Sequence, residues 1–126
     1  MLATGVDLVD IPRIERLLSR YGEKFLTRVY SSAEVASSRR RPAELAARFA
    51  AKEAVSKALG VGVRVLSPQG IAWHDVETLN ERSGKPYILL HGRAAALARE
   101  QGLSEWAISL SHDGGMAIAF VVATGN

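Results

Sequence analysis

A glutamate stands where a helix should be apolar. Arg48 to Gly60 reads as the second half of a helix that Pro42 opens. Proline suits a first helical turn, Ala and Leu favour the interior, and a glycine is a natural stop. At about 100° per residue, Leu45, Ala46, Phe49 and Ala50 fall on one face, and Glu53 lies among them. A carboxylate there is costly unless it is paired or bound to a cation. Lys57 follows Glu53 by one turn, and Lys52 follows Arg48 by one turn. The pattern alone favours an exposed helix with i,i+4 pairs, each worth about 0.2–0.5 kcal/mol. The other reading is an acid directed at a cation. Asp7 is equally out of place at the end of an apolar run, and taken alone it reads as a turn or cap aspartate.

Composition narrows the chemistry. The length fits one domain, spanning residues 1–126, with enough apolar content for a core. There is no cysteine, so disulfides and thiolate metal sites are excluded. Any metal must then sit on oxygen or imidazole, which favours a hard cation such as Mg²⁺. No apolar run reaches the roughly 20 residues of a membrane span, and the N-terminus does not read as a signal segment. A cytoplasmic protein is expected. The net charge of +3 suits an acidic partner, whether nucleic acid, phosphorylated small molecule or acidic protein.

The elements that must position these residues follow in order. Leu2 to Val9 reads as a strand in which Gly5 permits close approach of another group. Asp10 caps a helix with Pro12 in its first turn and Ile11, Ile14, Leu17, Leu18 and Tyr21 as its buried stripe. Arg13, Arg16 and Arg20 form a basic ridge on another face of that helix. Glu23 to Tyr30 reads as a short helix, and Ser31 to Glu34 as a capping box opening the next. The triplet Arg39-Arg40-Arg41 precedes Pro42. Val61 to Pro68 reads as a loop. Ile71 to Leu79 and Pro86 to His91 read as strands of a hairpin, Gly92 to Gln101 as a helix, and Trp106 to Ser111 and Met116 to Ala123 as strands about a turn at Asp113-Gly114-Gly115. The class is α+β, with an N-terminal strand and helices followed by antiparallel strands.

Four motifs then stand in order: Gly5-Val6-Asp7; Phe49-Ala50-Ala51-Lys52-Glu53-Ala54-Val55-Ser56-Lys57-Ala58-Leu59-Gly60; Gly84-Lys85-Pro86; and Ser109-Leu110-Ser111-His112. Together, from about Ala3 to Val122, they resemble the holo-acyl-carrier-protein synthases, the small bacterial branch of the 4′-phosphopantetheinyl transferases. The resemblance implies the fold of that family. It also implies transfer of 4′-phosphopantetheine from coenzyme A to a serine of apo-acyl carrier protein, with Mg²⁺, for fatty acid biosynthesis.

Residue roles come with the resemblance. Asp7 and Glu53 match the family's metal-binding acids. Lys57 would reach the same pyrophosphate as a point charge. Arg48 and Lys52 are further candidates for phosphate. Arg39 and Arg40 fall where the family holds the 3′-phosphate and ribose end of coenzyme A. Pro86 would pack near the adenine, although an ordinary hairpin loop explains Gly84-Lys85-Pro86 equally well. His112 is carried over as a phosphate contact, and direct base catalysis by it is the weaker option. Glu53 is one candidate base for the serine proton, and Asp7 can share the role. Arg13 falls where the carrier is expected; Arg16 and Arg20 extend that face by helical spacing. Larger members of the superfamily carry a further acid where this chain has Val9, so water should fill that place. The small branch assembles as a trimer with active sites between subunits, which implies a homotrimer. His74 and His91 read as structural, and Asp75 and Glu77 as exposed strand acids or partners of arginines. Two other readings remain: a nucleic-acid-binding module, weakened by the few aromatics, and a catalytically silent interaction domain. Neither a nucleic acid nor a membrane is an expected partner.

Overall fold

The computed structural model describes residues 1–63 and 68–125. Strand β1 (Leu2–Asp10) leads into helices α1 (Ile11–Tyr21), α2 (Glu23–Val29), α3 (Ser32–Ser38) and α4 (Pro42–Leu59). A 3₁₀ turn (Trp73–Asp75) then precedes β2 (Val76–Asn80) and β3 (Pro86–Leu90). Helix α5 (Gly92–Glu100) and strands β4 (Glu105–Asp113) and β5 (Met116–Thr124) complete an α+β architecture.

Helix α4 is the axis of the molecule. Pro42 sits in its first turn, and Gly60 closes it in the left-handed conformation at φ 77°. The sequence pattern predicts one apolar face, yet nearly the whole circumference from Leu45 to Ser56 is buried. The cause is tertiary. Strands β1, β5 and β4 pack on the helix, while α1, α3, α5 and β2 surround the rest. Its alanines, at 46, 47, 50, 51 and 54, let those neighbours come close.

Two antiparallel sheets flank it. The larger has the order β1-β5-β4, and β2 pairs with β3 in a hairpin. The register aligns Asp7 with Ala119 and Leu110, and Val9 with Ala117 and His112. Gly5, Val9, Ala117, Ala119, Val121 and Ala123 face the core. The opposite face leaves Leu2, Val6, Leu8, Met116 and Phe120 exposed.

Several local expectations change. The predicted strand from Ile71 begins only at Val76, because the Asp75 carboxylate accepts the backbone N–H of Ala72 at 3.1 Å and turns the chain. Asp10 occupies the N-cap position of α1, but its side chain makes no cap hydrogen bond. Tyr21 is exposed rather than part of the buried stripe. The expected loop from Val61 to Pro68 lies partly, at 64–67, outside the described residues.

Gly5 is where the two main layers meet. A Cβ at this position would lie 1.9 Å from the carbonyl oxygen of Ala54. Backbone meets backbone there, so no rotamer can relieve the clash. Gly5→Ala is therefore expected to cost about 3 kcal/mol or more. Urea denaturation checks this, and a loss below about 1 kcal/mol would show that β1 can move away from α4 freely.

Candidate active site

The close approach at Gly5 sets the next steps. Asp7 follows two residues along β1, on the same face, and Glu53 precedes Ala54 on α4. The two acids become neighbours across the layer boundary. Lys57, one turn beyond Glu53, donates from Nζ to Asp7 Oδ1 at 2.8 Å and to the Val6 carbonyl at 3.0 Å. Arg13 reaches over from α1, its guanidinium 5.6 Å from the centre of the Phe49 ring. Phe49 lies one turn before Glu53 on the same helix.

Electrostatics follow from this crowding. Burial pushes the Glu53 carboxyl up, and the negative charge of Asp7 pushes it further. A hydrogen bond with Asp7 acts in the same direction, while Lys57 and Arg13 oppose both. Two acids thus share one crowded place at the edge of the core. That is a donor set a divalent cation would satisfy, because it offers hard oxygens only. Among the described residues no third His, Cys, Asp or Glu joins them. Val9 is buried in the core. Asp7 and Glu53 are a donor set that would fit a hard divalent cation such as Mg²⁺.

The other predicted residues divide into those left free and those already engaged. Arg48 and Lys52 are buried in the core. The Arg48 guanidinium donates to Glu44 Oε1 at 2.9 Å and Asn80 Oδ1 at 2.6 Å. Lys52 pairs with Glu34 at 2.9 Å. Their expected role as phosphate contacts is corrected, since both side chains point away from solvent into structural partners. Arg39 and Arg40 remain exposed at the end of α3, both left-handed, with φ 53° and 57°. They line an open cavity of about 800 Å³ with Tyr30, Ser31 and His74, and Arg40 pairs with Glu23 at 2.6 Å. This cavity shares no lining residue with the Asp7–Glu53 cluster. Pro86 opens β3, beside a turn in which Gly84 donates to Glu81 at 2.8 Å. His112 is exposed near the end of β4, two strands across from β1. One chain therefore assembles Asp7, Glu53, Lys57 and Arg13. Among the described residues no hydrogen bond or ion pair joins Arg39, Arg40, Pro86 or His112 to them.

On α1, Arg16 lies 3.9 Å from Asp10, and Arg20 lies over the Tyr21 ring at 5.6 Å. Next to them an apolar cleft of about 510 Å³ is lined by Leu17, Tyr21 and Phe25, with Lys24 and Arg28 at its edge. Those two cations were not singled out from the sequence, although their spacing of four residues on a helix marks one face. His74 Nε2 contacts the Thr27 carbonyl at 2.7 Å, a structural role. Among the described residues no arginine pairs with Asp75 or Glu77. Glu77 accepts from Ser31 Oγ at 2.7 Å and contacts His91 Nε2 at 3.0 Å, which together hold its carboxyl below the usual range.

Comparison with known proteins places the chain in a family. A family model described as the 4′-phosphopantetheinyl transferase superfamily matches residues 3–121. A holo-acyl-carrier-protein synthase of Herpetosiphon aurantiacus is 48% identical, over 99% of this chain and 100% of that protein. The crystal structure of the Helicobacter pylori holo-acyl-carrier-protein synthase in complex with coenzyme A superposes with a TM-score of 0.84 at 33% identity, covering 96% of this chain and 99% of that one. The Neisseria meningitidis synthase gives 0.81 at 32% identity, with 97% of each chain covered.

The raised Glu53 carboxyl has a defined consequence for stability. In the metal-free protein the folded chain holds this proton more tightly than the unfolded chain does. The stability it contributes is present below the ordinary glutamate range and is lost as pH rises through the raised value. A ¹³C NMR titration of the Glu53 carboxyl should show that raised value. Asp7→Asn should lower it part of the way, because burial remains. An unchanged titration in Asp7→Asn would remove Asp7 as a cause.

Proposed function

The chain belongs to the 4′-phosphopantetheinyl transferase superfamily, and we propose that the Asp7–Glu53–Lys57 cluster is where it does its chemistry. It acts as a holo-acyl-carrier-protein synthase, transferring 4′-phosphopantetheine from coenzyme A to a serine of apo-acyl carrier protein. The serine Oγ forms a bond to the phosphorus nearer pantetheine. The bond from that phosphorus to the bridging oxygen breaks, and adenosine 3′,5′-bisphosphate leaves. The observation that carries the reading is the side-by-side placement of Asp7 and Glu53, with Lys57 held at 2.8 Å from Asp7.

Phosphoryl-type transfer asks for positioning and charge neutralisation. Asp7 and Glu53 would hold Mg²⁺, which supplies neutralisation of the pyrophosphate when bound. Lys57 brings its ammonium to the same place as a point charge. It is exposed, and its anchors on Asp7 and Val6 aim it at the acids. Glu53, once ionised, takes the serine proton. Arg13 and Lys57 favour that ionised form.

The partners follow from the surface. Arg13, Arg16 and Arg20 present positive charge to an acidic carrier, and the neighbouring cleft with Lys24 and Arg28 offers an apolar seat beside them. Arg39 and Arg40 would take the 3′-phosphate end of coenzyme A, with Pro86 and His112 completing the nucleotide side. These four stand apart from the acids within one chain. The contiguous apolar face of the β1-β5-β4 sheet supports burial against further copies of the chain. A homotrimer, whose number the family likeness suggests, would let one subunit complete the site of another. No helix among the described residues is long and apolar enough to cross a membrane. We place the reaction in the cytoplasm, in the service of fatty acid biosynthesis.

Intact-mass spectrometry of apo-acyl carrier protein, incubated with the protein, coenzyme A and Mg²⁺, should show a phosphopantetheine-sized gain. EDTA should abolish it, and Glu53→Gln or Asp7→Asn should slow it on the order of a hundredfold or more. No gain with several unrelated carriers would sink the transferase reading. Phe120→Asp should turn a trimer into a monomer in sedimentation velocity. An unchanged sedimentation coefficient would remove the sheet face as the interface.

A further inference from the structure

Lys52 and Glu34 form a buried ion pair that the transfer chemistry does not use. Their side chains are 1% and 0% exposed. Such a pair is weak as a source of stability, because two charges must leave water, and apolar replacements of similar volume are often neutral or stabilising. Its geometry, however, is fully committed. Lys52 Nζ donates to Glu34 Oε1 at 2.9 Å, to the Trp73 carbonyl at 3.0 Å and to the Val76 carbonyl. That uses all three donors of an ammonium. Glu34 Oε1 also accepts the Ser31 N–H at 3.0 Å, and Oε2 accepts the Thr78 N–H at 3.0 Å.

These bonds tie together the elements that carry the separate halves of the site. Lys52 is the residue before Glu53 on α4. Glu34 lies on α3, whose C-terminal cap is Arg39. Trp73, Val76 and Thr78 belong to the turn and strand that run through Asn80 to Gly84-Lys85-Pro86. A second tie reinforces the first, since Arg48 on α4 donates to Asn80 at 2.6 Å. Fixing the Lys52 head group fixes both the rotation and the axial level of α4 next to Glu53. A residue on a helix turns by about 100° per position, so even a small rotation would carry Glu53 away from Asp7.

We propose that Lys52 and Glu34 are positioning residues, a buried pin that holds the acids of α4 in register with Asp7 and with the basic end of α3. The proposal rests on the transferase reading for its kinetic consequence, though not for its structural one. The double variant Lys52→Met/Glu34→Gln removes both charges together and leaves neither one buried alone. It should stay folded, with a thermal midpoint close to that of the parent. Its kcat should fall about tenfold or more, as misplacement of a reacting group by about 1 Å can cost a hundredfold. KM for the carrier should stay unchanged, because the α1 surface is untouched. Calorimetry with coenzyme A and Mg²⁺ should show binding weakened by about tenfold, and a crystal structure should show the Glu53 carboxyl displaced from Asp7. A folded double variant with parental kcat, or with Glu53 unmoved, overturns the pin. Should the double variant fail to fold, Glu34→Asp, which keeps both charges but draws the carboxylate back by one methylene, serves the same comparisons under the same criteria. If the parent protein neither binds coenzyme A nor modifies a carrier, the transferase reading has failed, while the position of Glu53 in the variant still decides the pin.

Discussion

The contact between the backbone of β1 and that of α4 governs the rest of this structure. It exists because residue 5 has no side chain, and any Cβ there would meet the Ala54 carbonyl oxygen at 1.9 Å. Alanines along α4 extend the same closeness to β5. Two acids on separate elements are thereby brought together without a loop between them. The packing that stabilises the core is the packing that makes the site, so the mutual repulsion of Asp7 and Glu53 is sustained by apolar burial around them. This is strain of the electrostatic kind, and it is relieved by cations.

The cations of α4 fall into two groups that look alike in one dimension. Arg48, Lys52 and Lys57 occupy positions separated by about one turn, and each is four residues from an acid or another base. Lys57 ends on Asp7 at the surface, where its charge stays available to an anion. Arg48 and Lys52 turn the other way and are absorbed by Glu44, Asn80 and Glu34. The difference lies in what packs on each side of the helix. β1 leaves its end of the site open to solvent, whereas α3 and β2 close over the other side. A basic residue beside a phosphate site is therefore no measure of phosphate contact until its neighbours are known.

That contrast also explains what could be read from the chain and what could not. Local chemistry was legible. The capping box at Ser31 and Glu34 forms as expected, with 3.1 Å and 3.0 Å bonds, because its partners are three residues apart. Gly5 and Asp7 were legible as a motif, and so was the helix from Pro42 to Gly60. The second task of Glu34 was not, since Lys52 and Thr78 reach it across 18 and 44 residues. A capping glutamate reads as a surface residue, and only the folded chain turns it into the centre of a buried network. The strand expected from Ile71 failed for the opposite reason. There a local side-chain bond from Asp75 outcompeted the extended pattern that the apolar residues suggested.

The division of the site is itself informative about assembly. Within the β1-β5-β4 sheet, Asp7 and His112 lie on the same face but on opposite edge strands, separated by β5. Arg39 and Arg40 lie beyond α4, on the side that Glu34 and Lys52 occupy. A second copy of the chain is one way to bring such groups to the acids. The exposed row of Val6, Leu8 and Phe120 favours this course, because it places an unburied apolar surface on the same strands that carry Asp7. If copies of the chain cover that face, as proposed, burying it and completing the site would be one event, and activity would then depend on the oligomer.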